Sequence, residues 1–435
     1  MAFRSTRGSS ISLRLLVVSH FFPPHEAIAS RRVHAMTAAL VAAGHDVDVL
    51  TSKKRDAERT APLPLDGARI HEIDYTLPPG LERLRGSIKQ GESSNENAAA
   101  RQPSSLARAF VRCRQRTGAF AAVRMPDLSG FWKTPAVRAA HELAERAGPW
   151  DVVLSSAGPY TPHLIGMRLR RAGLARRWLA EYRDLWTGNN IYRGLWPFTV
   201  VEHRLESKVL RTADALVAIS EPMAQWIRAR TDQPVHVIYN GFPESNLVEP
   251  QATPPSARLR VVYTGVLNTE GRDVESLLGA VADLRTEGVD ATFEIAGTGH
   301  EPVREIAGRV GLGEGFIHHG KLSREAAIEL QRSASVLALI EWHDPAAGVL
   351  TTKMYDYLAA GPPIVVTGPR GEMSQIVEGT GRGVNAGSVR AAIGETLRAV
   401  SRGELSLDPD RSRLLTYTRE HQASRLCELV ASLRP

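Results

Sequence analysis

The feature that most limits the fold of this chain is an alternation that runs through one half, stops, and starts again. Residues 13–19 read as a short buried strand. Residues 31–43 then carry Val33, Met36, Leu40 and Val41 on one helix face, and residues 47–51 form the next apolar run. Further strands are predicted at 69–73, 151–156, 178–184, 215–220 and 235–240. Residues 243–255 have no periodicity and read as a linker. The pattern resumes with strands at 260–265, 291–297, 316–320 and 336–340, separated by helix-length stretches, and a last helix is predicted over 411–431. Nearly continuous apolar strands alternating with helices call for parallel sheets covered on both faces. The chain therefore predicts two α/β domains: residues 1–242, a linker at 243–257, residues 258–410, and a terminal helical segment, 411–435, packing back toward the first domain.

One stretch concentrates chemistry. Met354, Tyr357 and Leu358 make one apolar helix face, Thr351 or Thr352 can cap its start, and Gly361-Pro362-Pro363 stops it. Free backbone N–H groups at such a start, with the helix dipole, suit a phosphate. Lys353 and Asp356 lie on the face away from the apolar one, where a cation can meet phosphate and a carboxylate can accept from sugar hydroxyls. The same residues also read as a capped surface helix with an i, i+3 ion pair. Arg183 and Asp184 close a predicted strand, where charged residues point to a site or to a structural ion pair.

The 435 residues are 43% hydrophobic and 23% charged, which suits a globular protein with a large core. The formal net charge of +7 favours a polyanionic partner. Only Cys113 and Cys427 occur, so a disulfide scaffold and a cysteine zinc site are excluded and a reducing cytoplasm is expected. Residues 15–18 are too short for a signal-peptide core, and no stretch has the length of a spanning helix. Membrane contact is expected to be peripheral, at an anionic inner face. The basic helix at 106–120 (Arg108, Arg112, Arg114, Arg116) suits such contact or is a solvated surface helix. Residues 86–105 are polar and small and read as an exposed, disordered loop. No nucleic-acid motif accompanies the positive charge, so nucleic acid is not expected as a partner.

The order and spacing of several motifs resemble family-4 glycosyltransferases of the GT-B type, in which two Rossmann-like domains face each other across a cleft. The resemblance rests on Phe22-Pro23-Pro24 with the later Gly44-His45-Asp46-Val47, on Ile238-Tyr239-Asn240-Gly241, and on Gly265 after its strand. It rests further on Ile295-Ala296-Gly297-Thr298-Gly299, on residues 317–321, and above all on Lys353-Met354-Tyr355-Asp356-Tyr357-Leu358-Ala359-Ala360-Gly361-Pro362. The Pro159–His163 and Tyr182–Trp186 stretches look like the branch that builds bacterial polysaccharides.

The resemblance implies a nucleotide-diphosphate sugar as co-substrate, with no cofactor and no metal requirement. It places the base at the main chain of Gly320 and Lys321, the ribose at Asp356, and the diphosphate at Thr351, Thr352 and Lys353. Several positions depart from the family pattern. Counting back from Asp356, the carboxylate that would contact the donor sugar falls on Gly348, with Glu341 and Asp344 in the same loop. The arginine expected after Gly265 is Val266, and only Arg272 stands near the place of a following lysine. A Gly-Gly pair is replaced by Ala27-Ile28, with Arg31 or Arg32 as substitute charge.

The implied chemistry is transfer with retention, the diphosphate charge being met by Arg272, Lys353 and the helix start. The acceptor, a glycan, lipid-linked or small-molecule hydroxyl, is placed near His25, His163, Arg183 and Asp184. The competing readings are a sugar-nucleotide epimerase or phosphorylase on the same plan, and a silent subunit that binds a sugar nucleotide.

Overall fold

The computed structural model describes residues 12–25, 28–60, 63–82, 113–114, 116–120, 124–189, 192–249, 258–344 and 348–434. The loop expected at 86–105 lies outside these residues, as do about half of the basic helix at 106–120 and about half of the linker at 243–257. The chain divides into two compact units. One holds residues 1–219, 223–238 and 423–435, the other 220–222 and 239–422.

The first unit is built on seven strands: β1 (Arg14–Ser19), β2 (Asp46–Ser52), β3 (Ala68–Ile73), β4 (Trp150–Ser156), β5 (Ala175–Tyr182), β6 (Ala215–Ala218) and β7 (Val235–Val237). They lie in the order β3-β2-β1-β4-β5-β6-β7, every pair parallel. Helices α1 (Ile28–Ala42), α2 (Lys133–Ala147), α3 (Thr161–Arg171) and α4 (Phe198–Thr212) connect them, and α5 (Glu221–Arg228) precedes β7. The apolar runs are strands because both faces are covered: Leu15, Leu16, Val17 and Val18 are all buried. Asp48 ties four strands together. Its carboxylate accepts from Arg69 Nε at 2.9 Å, His71 Nε2 at 3.0 Å and Trp150 Nε1 at 2.9 Å, and pairs with Arg14 at 3.3 Å.

The second unit holds β8 (Leu259–Thr264), β9 (Ala291–Ala296), β10 (Phe316–His318), β11 (Val336–Ile340), β12 (Ile364–Thr367) and β13 (Gly383–Asn385). Their order is β10-β9-β8-β11-β12-β13, again all parallel. Its helices are α6 (Val274–Thr286), α7 (Glu301–Arg309), α8 (Arg324–Arg332), α9 (Thr352–Ala360), α10 (Glu372–Gly379), α11 (Arg390–Ser401) and α12 (Arg411–Thr416), and α13 (Arg419–Ser432) follows. Both units are therefore Rossmann-like parallel sheets. In each, strand order reverses once, between β1 and β4 and between β8 and β11, and ligands of such sheets bind beyond the strand C-termini at that reversal.

The terminal segment is two helices rather than the single one expected over 411–431. The break falls at Tyr417 and Thr418, where the Thr418 hydroxyl accepts from the His421 amide and starts α13. Leu426, Leu429 and Val430 of α13 then join the core of the first unit with Val17, Val47 and Leu179.

Candidate active site

The second unit gathers most of the expected donor residues at its strand reversal. Helix α9 is held there by Tyr357, whose hydroxyl accepts from the Thr264 amide at 2.7 Å, while Gln331 Nε2 donates to Thr264 Oγ1 at 2.8 Å. Residues four apart share a helix face, so Tyr357 fixes Lys353 one turn nearer the helix start. Lys353 Nζ lies 4.7 Å from the centre of the Tyr263 ring. A methyl group on Gly265 would meet Lys353 Cε at 3.4 Å. Gly265 has φ +98°, and a Cβ on Gly297 would come within 2.6 Å of the Gly265 carbonyl oxygen, so glycine is required for these two loops to touch.

Arg272 comes to the same place from the loop before α6. Its Nε donates to the Ile340 carbonyl at 3.0 Å, and its guanidinium stacks on Trp342 at 4.6 Å. Neither Arg272 nor Lys353 forms an ion pair among the described residues. Burial and the neighbouring Arg272 charge bring the Lys353 ammonium down to about 8, and burial lowers Arg272 as well. Glu341, buried at the end of β11, is pushed up to about 7 by burial, against the pull of a Ser374 amide and Arg272. Buried Arg272 and half-buried Lys353, with Arg272 beside one carboxyl that resists ionisation, leave a positive potential that no ion pair to either cation offsets among the described residues.

The start of α9 is open in the same sense. Thr351 has the extended backbone of an N-cap, but its hydroxyl makes no capping bond and its oxygen is buried without a partner. The i, i+3 pair between Lys353 and Asp356 does not form: Asp356 faces Arg324 of α8 at 3.6 Å. Gly320, with φ +70°, accepts from the Gly297 amide at 2.9 Å, and Lys321 is exposed beside it. Gly348 is buried and Val266 is 58% exposed, so neither supplies the charge that its place in the family pattern carries. Asp344 is exposed.

Sequence reasoning missed Glu372, which opens α10, caps the Glu221 amide at 2.9 Å and accepts from the Tyr239 hydroxyl at 2.9 Å. An acidic residue directly after Gly371 was the available signal.

The first unit holds the residues expected on the acceptor side, and they separate. His25 lines a cavity of about 450 Å³ with His20, Phe21, Lys54 and Tyr75, beyond the ends of β1, β2 and β3. Lys54 is buried there and brought down to about 8 by burial. It donates to the Ser52 carbonyl at 2.7 Å and the Ser52 hydroxyl at 2.8 Å, so it braces the cavity wall. His163 is corrected out of the acceptor set. It is wholly buried, Ser155 Oγ lies 2.8 Å from its Nδ1, and burial with the Arg183 charge lowers it to about 3.

Arg183 is not paired with Asp184. It donates to the Ala157 carbonyl at 2.6 Å and the Gly158 carbonyl at 2.7 Å, while Asp184 is exposed. Arg32 cannot replace the missing Gly-Gly loop as free charge, because it bonds Glu181 Oε1 at 2.8 Å and the Ile238 carbonyl at 2.8 Å. Two Asp-x-Asp triplets occur, at 46–48 and 408–410. Asp48 is the strand hub described above, and Asp410 caps α12 through the Arg413 amide.

The family model described as "Glycosyl transferase 4-like domain" matches residues 29–241, and that described as "Glycosyl transferases group 1" matches residues 258–401. The chain belongs to the family-4 glycosyltransferases of the GT-B type. Solved structures agree on the fold of this glycosyltransferase. A sucrose-phosphate synthase from Thermosynechococcus elongatus superposes with a TM-score of 0.62 at 14% identity, over 97% of this chain and 99% of that one. The Anabaena protein HepE, in complex with UDP-glucose, gives 0.57 at 11% identity over 97% and 100%. A UDP-forming trehalose-phosphate synthase from Burkholderia xenovorans gives 0.56 at 11% over 97% and 98%. No curated protein sequence matches this glycosyltransferase.

Proposed function

We propose that this glycosyltransferase moves a sugar, with retention and without a metal ion, from a nucleoside-diphosphate donor to a hydroxyl of a glycan, lipid-linked or small-molecule acceptor. The observation that carries the donor side is the pairing of two cations, buried Arg272 and half-buried Lys353, beside Gly265 and the start of α9. A leaving diphosphate gains negative charge as the glycosidic bond breaks. Donors already fixed and already desolvated stabilise that charge without rearrangement. Thr351 and Thr352 lie where the helix start meets the phosphates, Asp356 and the Gly320–Lys321 main chain where ribose and base would rest. With the diphosphate oxygen able to take the acceptor proton, no separate base is required. Arg183 and His25 remain on the acceptor side, and Asp184 is the exposed carboxylate nearest them in sequence.

The UDP-glucose complex of the Anabaena neighbour makes uridine nucleotides the first probes. A screen of sugar nucleotides for slow donor hydrolysis tests the reading. Lys353→Ala or Arg272→Ala is expected to lower turnover by about 10²–10³, and Asp356→Ala to raise the donor KM. Hydrolysis unchanged in all three variants refutes the assignment.

Gly348 in the place of a carboxylate favours one second reading, a subunit that binds a sugar nucleotide without turning it over. Donor binding by calorimetry with neither hydrolysis nor transfer identifies that case.

A further inference from the structure

Among the large apolar side chains exposed in the described residues, four fall within six positions. Trp196 is 79% exposed, Val200 and Val201 are each 44% exposed, and Phe198 is 37% exposed. They form the turn before α4 and its first turn. A contiguous apolar patch of this kind marks an interaction surface.

The rest of α4 says what that surface meets. Glu202, Glu206, Val209 and Leu210 are buried, so this face points into the unit. Glu202 is fixed there by Arg124 at 3.1 Å, and Glu206 by the Thr187 amide at 3.2 Å. Both helix acids are thus turned inward. The opposite face runs Val200, Val201, Arg204, Lys208 and Arg211 at three- and four-residue steps. All three cations are exposed, and none has an ion pair among the described residues. One face therefore starts apolar and continues cationic, with an exposed tryptophan at its apolar end. A helix of that pattern lies in a membrane interface, its apolar end among the acyl chains and its cations on the headgroups.

We propose that the Trp196–Arg211 surface docks this protein on an anionic lipid bilayer. The proposal is independent of the donor site, which lies in the other unit. A second copy of the chain fits the surface less well, because two such faces would bring six cations together without an acid. The charge balance is also right for anionic lipid, since the whole chain carries +7.

The test is co-sedimentation of the full chain with phosphatidylglycerol-rich vesicles and with pure phosphatidylcholine vesicles. Binding to the first and not the second is expected, weakening as salt rises. The variant Trp196→Ser, Val200→Ser, Val201→Ser is expected to remain in the supernatant. Arg204→Gln and Lys208→Gln are each expected to weaken binding about five-fold. Because all these side chains are exposed, thermal melts of the variants should match the parent. The proposal is overturned by failure to bind anionic vesicles, or by binding that both sets of changes leave intact. It is equally overturned by a dimer in sedimentation velocity that the apolar variant dissolves, which would make a second copy the occupant.

Discussion

Lys353 and Glu341 respond to pH in opposite ways although they share one site. Burial brings Lys353 down to about 8 and pushes Glu341 up to about 7. For Glu341 the native state keeps a proton that the unfolded chain releases between its ordinary value of 4.5 and about 7. The unfolded state binds fewer protons in that window, so stability falls as pH rises through it. Glu341→Gln cannot ionise, and is expected to be more stable than the parent at pH 8, by up to about 3 kcal/mol, and no more stable near pH 4. Thermal melts at the two pH values check this. For Lys353 the sign reverses: the cost of burying its charge is present below about 8 and is relieved as pH rises toward 10.5. A diphosphate needs the charged form. The donor KM is therefore expected to climb above about pH 8, and Lys353→Arg to move that limb to higher pH. A donor KM that is flat to pH 10 in the parent contradicts a phosphate contact at this residue.

At the scale of elements, Asp48 shows how one side chain can hold a sheet. Burial opposes its ionisation, yet hydrogen bonds from His71, Arg69 and Trp150 outweigh burial and hold the carboxyl well below its usual range. That stabilisation is present above the ordinary value of 3.8 and is lost as pH falls below it. Asp48→Asn leaves Arg14 and Arg69 without their shared partner, and is expected to cost about 3–5 kcal/mol at pH 7. The gap between variant and parent should narrow near pH 3 in urea melts. Strands and helices of this kind were legible because each is a continuous apolar run or a periodic face, as in residues 15–18 and Met354–Leu358. What hid were features made by packing. The break at Tyr417 has no glycine or proline to announce it. His163 looks like a loop residue until α3 folds it against Ser155 and Trp178. Arg272 was legible in the sequence, but what holds it in the site, Trp342 and the Ile340 carbonyl, is distant in sequence and was not. The cavity beside His25 requires three strand ends to converge, which no local pattern encodes.

At the scale of the molecule, chain order and structural membership part company at the C-terminus. Residues 239–422 form one unit, yet 423–435 return to the other. Leu426 is wholly buried, Val430 nearly so, in the cluster built from Val17, Val47, Val49 and Leu179. The first sheet therefore completes its core with the last helix of the chain, and it cannot reach full stability until the second unit's residues have been made. This predicts where a distant substitution acts. Leu426→Ala removes a buried side chain at a cost of about 2–5 kcal/mol, and the loss belongs to the first unit. In calorimetry the variant is expected to lower the melting transition of the unit that holds Trp150 and Trp178. The pH-dependent behaviour of Lys353 and Glu341 should stay in place, because Met354, Leu358 and Val366 pack in a separate cluster. Donor binding at temperatures below the lowered transition should likewise match the parent. If Leu426→Ala instead weakened donor binding at low temperature as much as it lowered the melt, the two cores would be one cooperative structure, and the division of labour between them would fall.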